Sequence, residues 1–209
     1  MFHFHLSSIK SFNSLISACG RIQRPDLALQ VLSTMESRYG VRPDTESYRN
    51  AAIACNKAQH DDLRLHVPSL SFVSPNGKNI FKWWECALSL LRRMREDGLI
   101  PDVATFSATI SACEAAGEWQ RALGVLQLMM DDHEKRNDLM NIYCFNAAIS
   151  ACEKGQAWVE ALELYERMLD IGGPIFPNVV TLNSLLVALE SAGQKELARS
   201  KYYEGRKLK

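Results

Sequence analysis

The 209 residues carry no excess of charge of either sign: 24 Lys and Arg are matched by 24 Asp and Glu, for a formal net charge of zero. The global electrostatic footprint of a nucleic-acid binder is missing, which counts against nucleic acid as a partner. No apolar run approaches the roughly 18 residues of a membrane span, so a soluble chain with no membrane partner is expected. Met1 to Ser8 run straight into a repeated pattern, so neither a signal peptide nor an Arg- and Ser-rich transit segment is expected within these residues. The six cysteines form no close pair and no Cys-His cluster, a spacing wrong for zinc. There is no Gly-rich phosphate loop, no clustered metal-binding carboxylates and no His-x-Glu with a Cys-x-x-Cys pairing. No catalysis, metal or cofactor is therefore expected.

What the chain does contain is self-similarity. Four times an Ala-Leu pair is followed, seven residues after the Ala, by a Met: Ala28 to Met35, Ala87 to Met94, Ala122 to Met129 and Ala161 to Met168. Nine residues before Ala28, Ala122 and Ala161 stand Cys19, Cys113 and Cys152, and nine before Ala198 stands Leu189. A repeat of this period is the mark of stacked helical pairs, each buried mainly by its neighbours. Cys19, Cys55, Cys113 and Cys152 then read as small buried residues in thiol form, consistent with an intracellular compartment.

Within a unit, Phe12, Ile16 and Cys19 lie at i, i+4, i+7, as do Phe106, Ile110 and Cys113, and Phe145, Ile149 and Cys152. That is one apolar face of a first helix, helix A. A polar, Gly-bearing turn follows, and a second helix, helix B, buries Ala, Leu and Met. Helix B is expected to end near Gly40, Gly98 and Gly172, after which Pro43-Asp44, Pro101-Asp102 and Pro177-Asn178 restart the pattern. The chain thus divides into a single array of repeats at 9–44, 45–102, 103–141, 142–178 and a partial 179–209. The second is long because Cys55 and Ala87 are 32 residues apart, which places a 23-residue insertion at 60–82. Its Pro68, Pro75-Asn76-Gly77 and serines make it a loop, with a short hairpin between residues 65–67 and 80–82 as the alternative. Both ends of the array lack the polar caps that such stacks need, as expected of part of a longer product.

The stretches Tyr143-Cys144-Phe145-Asn146-Ala147-Ala148-Ile149-Ser150-Ala151-Cys152 and Ala161-Leu162-Glu163-Leu164-Tyr165-Glu166-Arg167-Met168, with Val179 to Leu186, closely resemble the pentatricopeptide repeat. The related tetratricopeptide repeat, a protein-binding module, matches less well. The resemblance implies an all-α fold, an α-solenoid (right-handed superhelix) of tandem antiparallel helix-turn-helix repeats. It also implies that the A helices read single-stranded RNA at about one base per repeat, with most members working in mitochondria or chloroplasts on RNA processing, stability or translation.

In the family the fifth and last residues of a repeat together select the base, and the second packs against its plane. Carried onto this chain, the fifth-residue sites are Asn13, Arg49, Ser107, Asn146 and Asn183, and the last-residue sites Asp44, Asp102, Asn141 and Asn178. A short amide or hydroxyl can present a donor and an acceptor to a base edge. N-capping alone would account for Asp44, Asp102 and Asn178. Asn13, Asn146 and Asn183 lie inside helices, where Asn costs about 0.5 kcal/mol against Ala and so asks for a further reason. By the family's pairing, Asn13 with Asp44 resembles a uridine reader, Ser107 with Asn141 an adenine reader, and Asn146 with Asn178 a pyrimidine reader. Arg49 departs from the pattern; a one-residue shift would put Asn50 there, so the base of repeat two is unassigned. Met140 and extra residues around His133 to Asp138 disturb the placement of Asn141. The second-residue sites are Lys10, Glu46, Ala104, Tyr143 and Val180, of which only Val180 is the family's usual choice. Arg21, Lys57, Lys154 and the basic tail from Arg199 onward could meet phosphate. The function expected is a non-catalytic single-stranded RNA binder, with other RNA-processing proteins as further expected partners; the rival is a helical scaffold for protein partners.

Overall fold

The computed structural model describes residues 8–60, 82–136 and 141–207. Among the described residues there are ten α-helices and no strand: α1 (Ile9–Arg21), α2 (Pro25–Ser37), α3 (Thr45–His60), α4 (Trp83–Glu96), α5 (Val103–Ala116), α6 (Trp119–Arg136), α7 (Ile142–Lys154), α8 (Trp158–Ile171), α9 (Val179–Ser191) and α10 (Lys195–Lys207). Odd-numbered helices are the A helices and even-numbered ones the B helices. The chain forms two compact units, one ending at Ala112 and the other beginning at Cys113, with the boundary inside α5. In the first, α1 packs on α2, both pack on α3, and α3 packs on α4. In the second, α6 packs on α7, α7 on α8 and α9, α8 on α9, and α9 on α10. Helices α1, α3, α7 and α9 therefore each lie beside their own B helix, and α1 and α7 also lie beside the next A helix, α3 and α9.

The expected A face is the core: Phe12, Ile16, Cys19, Phe106, Ile110, Cys113, Phe145, Ile149 and Cys152 are all buried. On helix B the seam differs in one respect from the Ala-Leu-Met reading. The Leu next to each Ala (Leu29, Leu88, Leu123, Leu162) is only half-buried. The buried stripe is Ala, the residue four further on, and Met: Ala28, Leu32 and Met35; Ala87, Leu91 and Met94; Ala122, Leu126 and Met129; Ala161, Tyr165 and Met168. A helix turns by about 100° per residue, so positions four and seven on return to the Ala face while the adjacent Leu swings off it. Burial also pushes the thiols up, Cys113 and Cys152 to about 12, so these thiols stay protonated and inert.

Helix ends follow the punctuation. Gly40, Gly98 and Gly172 take positive φ of 65°, 74° and 64°. At the first two the following N–H turns back to the seam methionine, Val41 N to Met35 O at 2.8 Å and Leu99 N to Met94 O at 3.0 Å. The A-to-B turns repeat a second device. The N–H five residues past Cys19, Cys113, Cys152 and Leu189 donates to that residue's carbonyl at 2.8 to 2.9 Å. The residue just before the donor is left-handed: Gln23 (57°), Gly117 (73°), Gln156 (57°) and Gly193 (75°). The glycines that the sequence displays in two of these turns, Gly20 and Gly155, do not have positive φ. Gly155 is there for space, because a Cβ on it would fall 2.1 Å from Trp119 Cδ1.

Repeat two has no such turn at the equivalent place, since α3 runs on to His60 and α4 opens at Trp83. The proposed insertion at 60–82 and its alternative hairpin otherwise lie outside the described residues, as do Asp138 and Met140.

Two stability predictions follow from these turns. Gln156→Gly relieves a left-handed conformation that a side chain adopts at about 1–2 kcal/mol, so unfolding in urea should show a net gain of up to about 1 kcal/mol after the added freedom of the unfolded chain. Gly155→Ala should destabilise by about 1–3 kcal/mol through overpacking. In a Trp119→Ala background that penalty should largely vanish; a penalty that persists there would show that the indole is not its cause.

Candidate nucleic-acid interface

The first N–H groups of an A helix have no partner within the helix, and the last residue of the preceding repeat supplies one. Ser47 N donates to Asp44 Oδ1 at 2.8 Å, Thr105 N to Asp102 Oδ1 at 2.8 Å, and Thr181 N to Asn178 Oδ1 at 3.0 Å. At Asn141 the donor is Tyr143 N, at 2.8 Å. Around Asp44 and Asn178 the exchange is reciprocal: Asp44 N reaches Ser47 Oγ at 3.2 Å and Asn178 N reaches Thr181 Oγ1 at 3.0 Å.

These caps also hold the fifth-residue side chains of the neighbouring A helix. Asn13 Nδ2 donates to Asp44 Oδ1 at 3.1 Å, and Ser47 Oγ donates to Asn13 Oδ1 at 2.5 Å. Asn146 Nδ2 donates to Asn178 Oδ1 at 3.4 Å, and Thr181 Oγ1 donates to Asn146 Oδ1 at 2.6 Å. The same triangle of fifth residue, last residue and following hydroxyl is built twice. In repeat two Arg49 takes the fifth place, with Nη1 donating to Asp102 Oδ2 at 2.9 Å. Asn50, the alternative on a shifted register, turns back instead to the backbone carbonyl of Asn13 at 3.4 Å. Ser107 is half-buried on α5 in the first unit, and Asn141 caps α7 in the second. Asn183 is exposed on α9.

Family models match more than half of the chain. One described as a pentatricopeptide repeat domain matches residues 89–154, and one described as a PPR repeat matches 10–39 and 143–173. The chain belongs to the pentatricopeptide repeat family. A chloroplastic pentatricopeptide repeat-containing protein of Arabidopsis thaliana is 25% identical over 128 residues, which are 59% of this chain and 12% of that protein. Among solved structures, nuclear proteinaceous RNase P 2 of A. thaliana superposes with a TM-score of 0.75 at 14% identity, over 93% of this chain and 37% of that one. The PPR domain of A. thaliana protein-only RNase P 1, solved in complex with tRNA, does so with a TM-score of 0.68 at 15% identity, over 92% of this chain and 86% of that one. At these identities the likeness shows the fold, an all-α solenoid of tandem helical repeats. The chain spans a small part of the curated relative and about a third of the first solved neighbour.

In pentatricopeptide-repeat terms, the second and fifth residues of a repeat are i, i+3 on helix A and share a face. All five second residues, Lys10, Glu46, Ala104, Tyr143 and Val180, are exposed on that face, Tyr143 at 72% and Val180 at 57%. The fifth residues differ sharply: Asn13 is only 4% exposed, Asn146 is half-buried and Asn183 is open. Glu46 closes over Asn13, accepting from its Nδ2 at 3.3 Å. Two of the basic residues are already paired. Lys154 binds Glu114 at 3.0 Å, and Lys201, 13% exposed, lies between Glu166 and Glu204 at 3.3 and 3.2 Å. Ser47 and Thr181 are members of the site that sequence reasoning missed. Their signal was present, a hydroxyl three residues after the capping Asp or Asn, but it reads as an ordinary capping partner.

Burial works against the Asp44 carboxylate, yet hydrogen bonds from the Ser47 backbone and hydroxyl and from Asn13 hold it below its ordinary value. Asp102 is likewise lowered against burial, by Thr105 and by Arg49. Carboxylates depressed in the folded state contribute stability that is present above their unfolded pKa, about 4, and lost as pH falls through the folded values. Urea midpoints should therefore drop between pH 5 and pH 3. Asp102→Asn keeps a good cap and should show a shallower drop; an unchanged slope would mean that Asp102 does not titrate with folding.

Proposed function

We propose that this chain binds single-stranded RNA without catalysing a reaction, at about one base per repeat, in the service of RNA processing, stability or translation in a mitochondrion or chloroplast. The observation that carries this reading is on α7. Tyr143 stands 72% exposed, one turn from an Asn146 that Asn178 and Thr181 hold in place. An aromatic left in water offers a stacking plane, and a fixed amide beside it offers directed donors and acceptors, the pairing that unstacked bases require. The tRNA complex of a fold neighbour and the chloroplastic relative support the partner and the compartment.

Repeat four reads its base through Asn146 and Asn178, and repeat five presents Val180 and Asn183. Repeat one offers Asn13 and Asp44, and repeat three offers Ser107. Stacking worth roughly 1–3 kcal/mol per base gives about 4–12 kcal/mol for four usable repeats before ordering costs, while micromolar binding needs about 8. Affinity in the micromolar range follows.

Selection from a pool of short RNAs, repeated across a salt series, tests this. Tyr143→Ala should weaken binding to the selected RNA by about 5- to 100-fold with an unchanged melting temperature, because the ring supports no packing. Asn146→Ala should relax the preference at one nucleotide. Selected RNAs that share no base preference, or affinity untouched by both substitutions, would sink the proposal. Retention of a protein partner after RNase treatment would then favour the scaffold reading, which the zero net charge and the exposed Glu46 carboxylate motivate.

A further inference from the structure

We infer that repeat two reads guanine, with Arg49 as the reading side chain and Asp102 as the residue that aims it. This rests on the RNA-binding proposal and assigns a base to the repeat whose fifth residue is an arginine.

Asp102 is pinned before Arg49 meets it. Its Oδ1 accepts from both the Thr105 N–H at 2.8 Å and the Thr105 hydroxyl at 2.7 Å. Its Oδ2 takes a hydrogen from Arg49 Nη1 at 2.9 Å. A guanidinium has five N–H donors in one plane, and Nη1 lies on the far side from the fork made by Nε and Nη2. Among the described residues neither Nε nor Nη2 donates a hydrogen bond; Glu46 Oε1 is 3.7 Å from Nη2, beyond hydrogen-bond range. Arg49 keeps one third of its side chain exposed, so a planar ligand edge that meets the Nε and Nη2 side competes only with the longer Glu46 contact.

Such a fork wants two adjacent acceptors. Guanine offers O6 and N7 on one edge; adenine sets an amino donor beside its N7, cytosine shows an amino donor there, and uracil a single carbonyl. Phosphate also has paired acceptors, but Asp102 and Glu46 set two carboxylates against the one guanidinium, so the cluster is net anionic and favours a neutral base edge over a phosphate. Asp102, with both oxygens engaged, contacts no base itself and serves as a positioning residue.

The test is selection from a random RNA pool with the full chain, repeated with Arg49→Lys, Arg49→Ala and Asp102→Asn after circular dichroism has shown each variant to be helical. The wild type should select an RNA with one guanine preferred by about 5- to 100-fold over the other bases, the range of a bidentate contact. That preference should disappear in R49A and in R49K, which keeps the charge but not the fork, and should weaken in D102N, which keeps the cap but loosens the hold on Arg49. Preferences at the other nucleotides should persist in all three. A motif with no guanine, a cytosine in its place, or a guanine retained by R49A or R49K would overturn the assignment while leaving RNA binding standing. Failure of the wild type to enrich any RNA would overturn the functional proposal and this inference with it.

Discussion

Every A helix opens with backbone N–H groups that must find acceptors outside the helix, and much else in the candidate site depends on how that need is met. For α1 the acceptor is the Ser8 hydroxyl; for the other four it is a carboxylate or amide one repeat back, Asp44, Asp102, Asn141 or Asn178. Since a cap must touch the helix it caps, this contact ties the end of one repeat to the start of the next. Since an A helix also packs on the next A helix of its unit, the cap falls within reach of the preceding fifth residue. One requirement of backbone chemistry thereby places the last and fifth residues side by side, where two short polar groups can face one ligand.

That economy sets folding against recognition. Asn13 spends its amide on Asp44 and Glu46 and its carbonyl on Ser47, and it is nearly closed to solvent. Such a buried polar group is acceptable because every partner is present, and it strengthens the joint between α1 and α3. Asn146 uses a longer, weaker contact to Asn178 and remains half-exposed beside Tyr143. The two sites share a residue pattern and differ in how much of their hydrogen-bonding capacity is left for a partner. One neighbour differs between them: Glu46 accepts from Asn13 at the first site, and Val180, which cannot, stands at the equivalent place in the second.

Much of the fold was legible in the residues because its causes are local. The 3.6-residue period gives the apolar faces, and glycine past the end of helix B gives the stops. What escaped was non-local. Gln23 and Gln156 adopt left-handed backbone that a sequence reader assigns to the glycines nearby, because only the closing bond to Cys19 or Cys152 dictates where the bend falls. The leucines beside the seam alanines look like core and are its margin. Spacing alone does not separate Arg49 from Asn50; in the fold Arg49 bonds Asp102, while Asn50 turns to the backbone carbonyl of Asn13.

By itself the sequence determined that this protein is a stack of helical pairs, where most of the pairs begin and end, and which positions carry short polar side chains inside helices. Periodicity and capping encode those facts within a few residues of chain, where no partner from afar is needed to read them. The tertiary structure alone decided which polar groups meet, how far each is withdrawn from water, and which cations are already neutralised, as Lys154 is by Glu114 and Lys201 by Glu166. Those outcomes depend on groups some 30 to 50 residues apart brought within about 3 Å, distances over which hydrogen bonds and ion pairs act and which the linear order of residues does not contain.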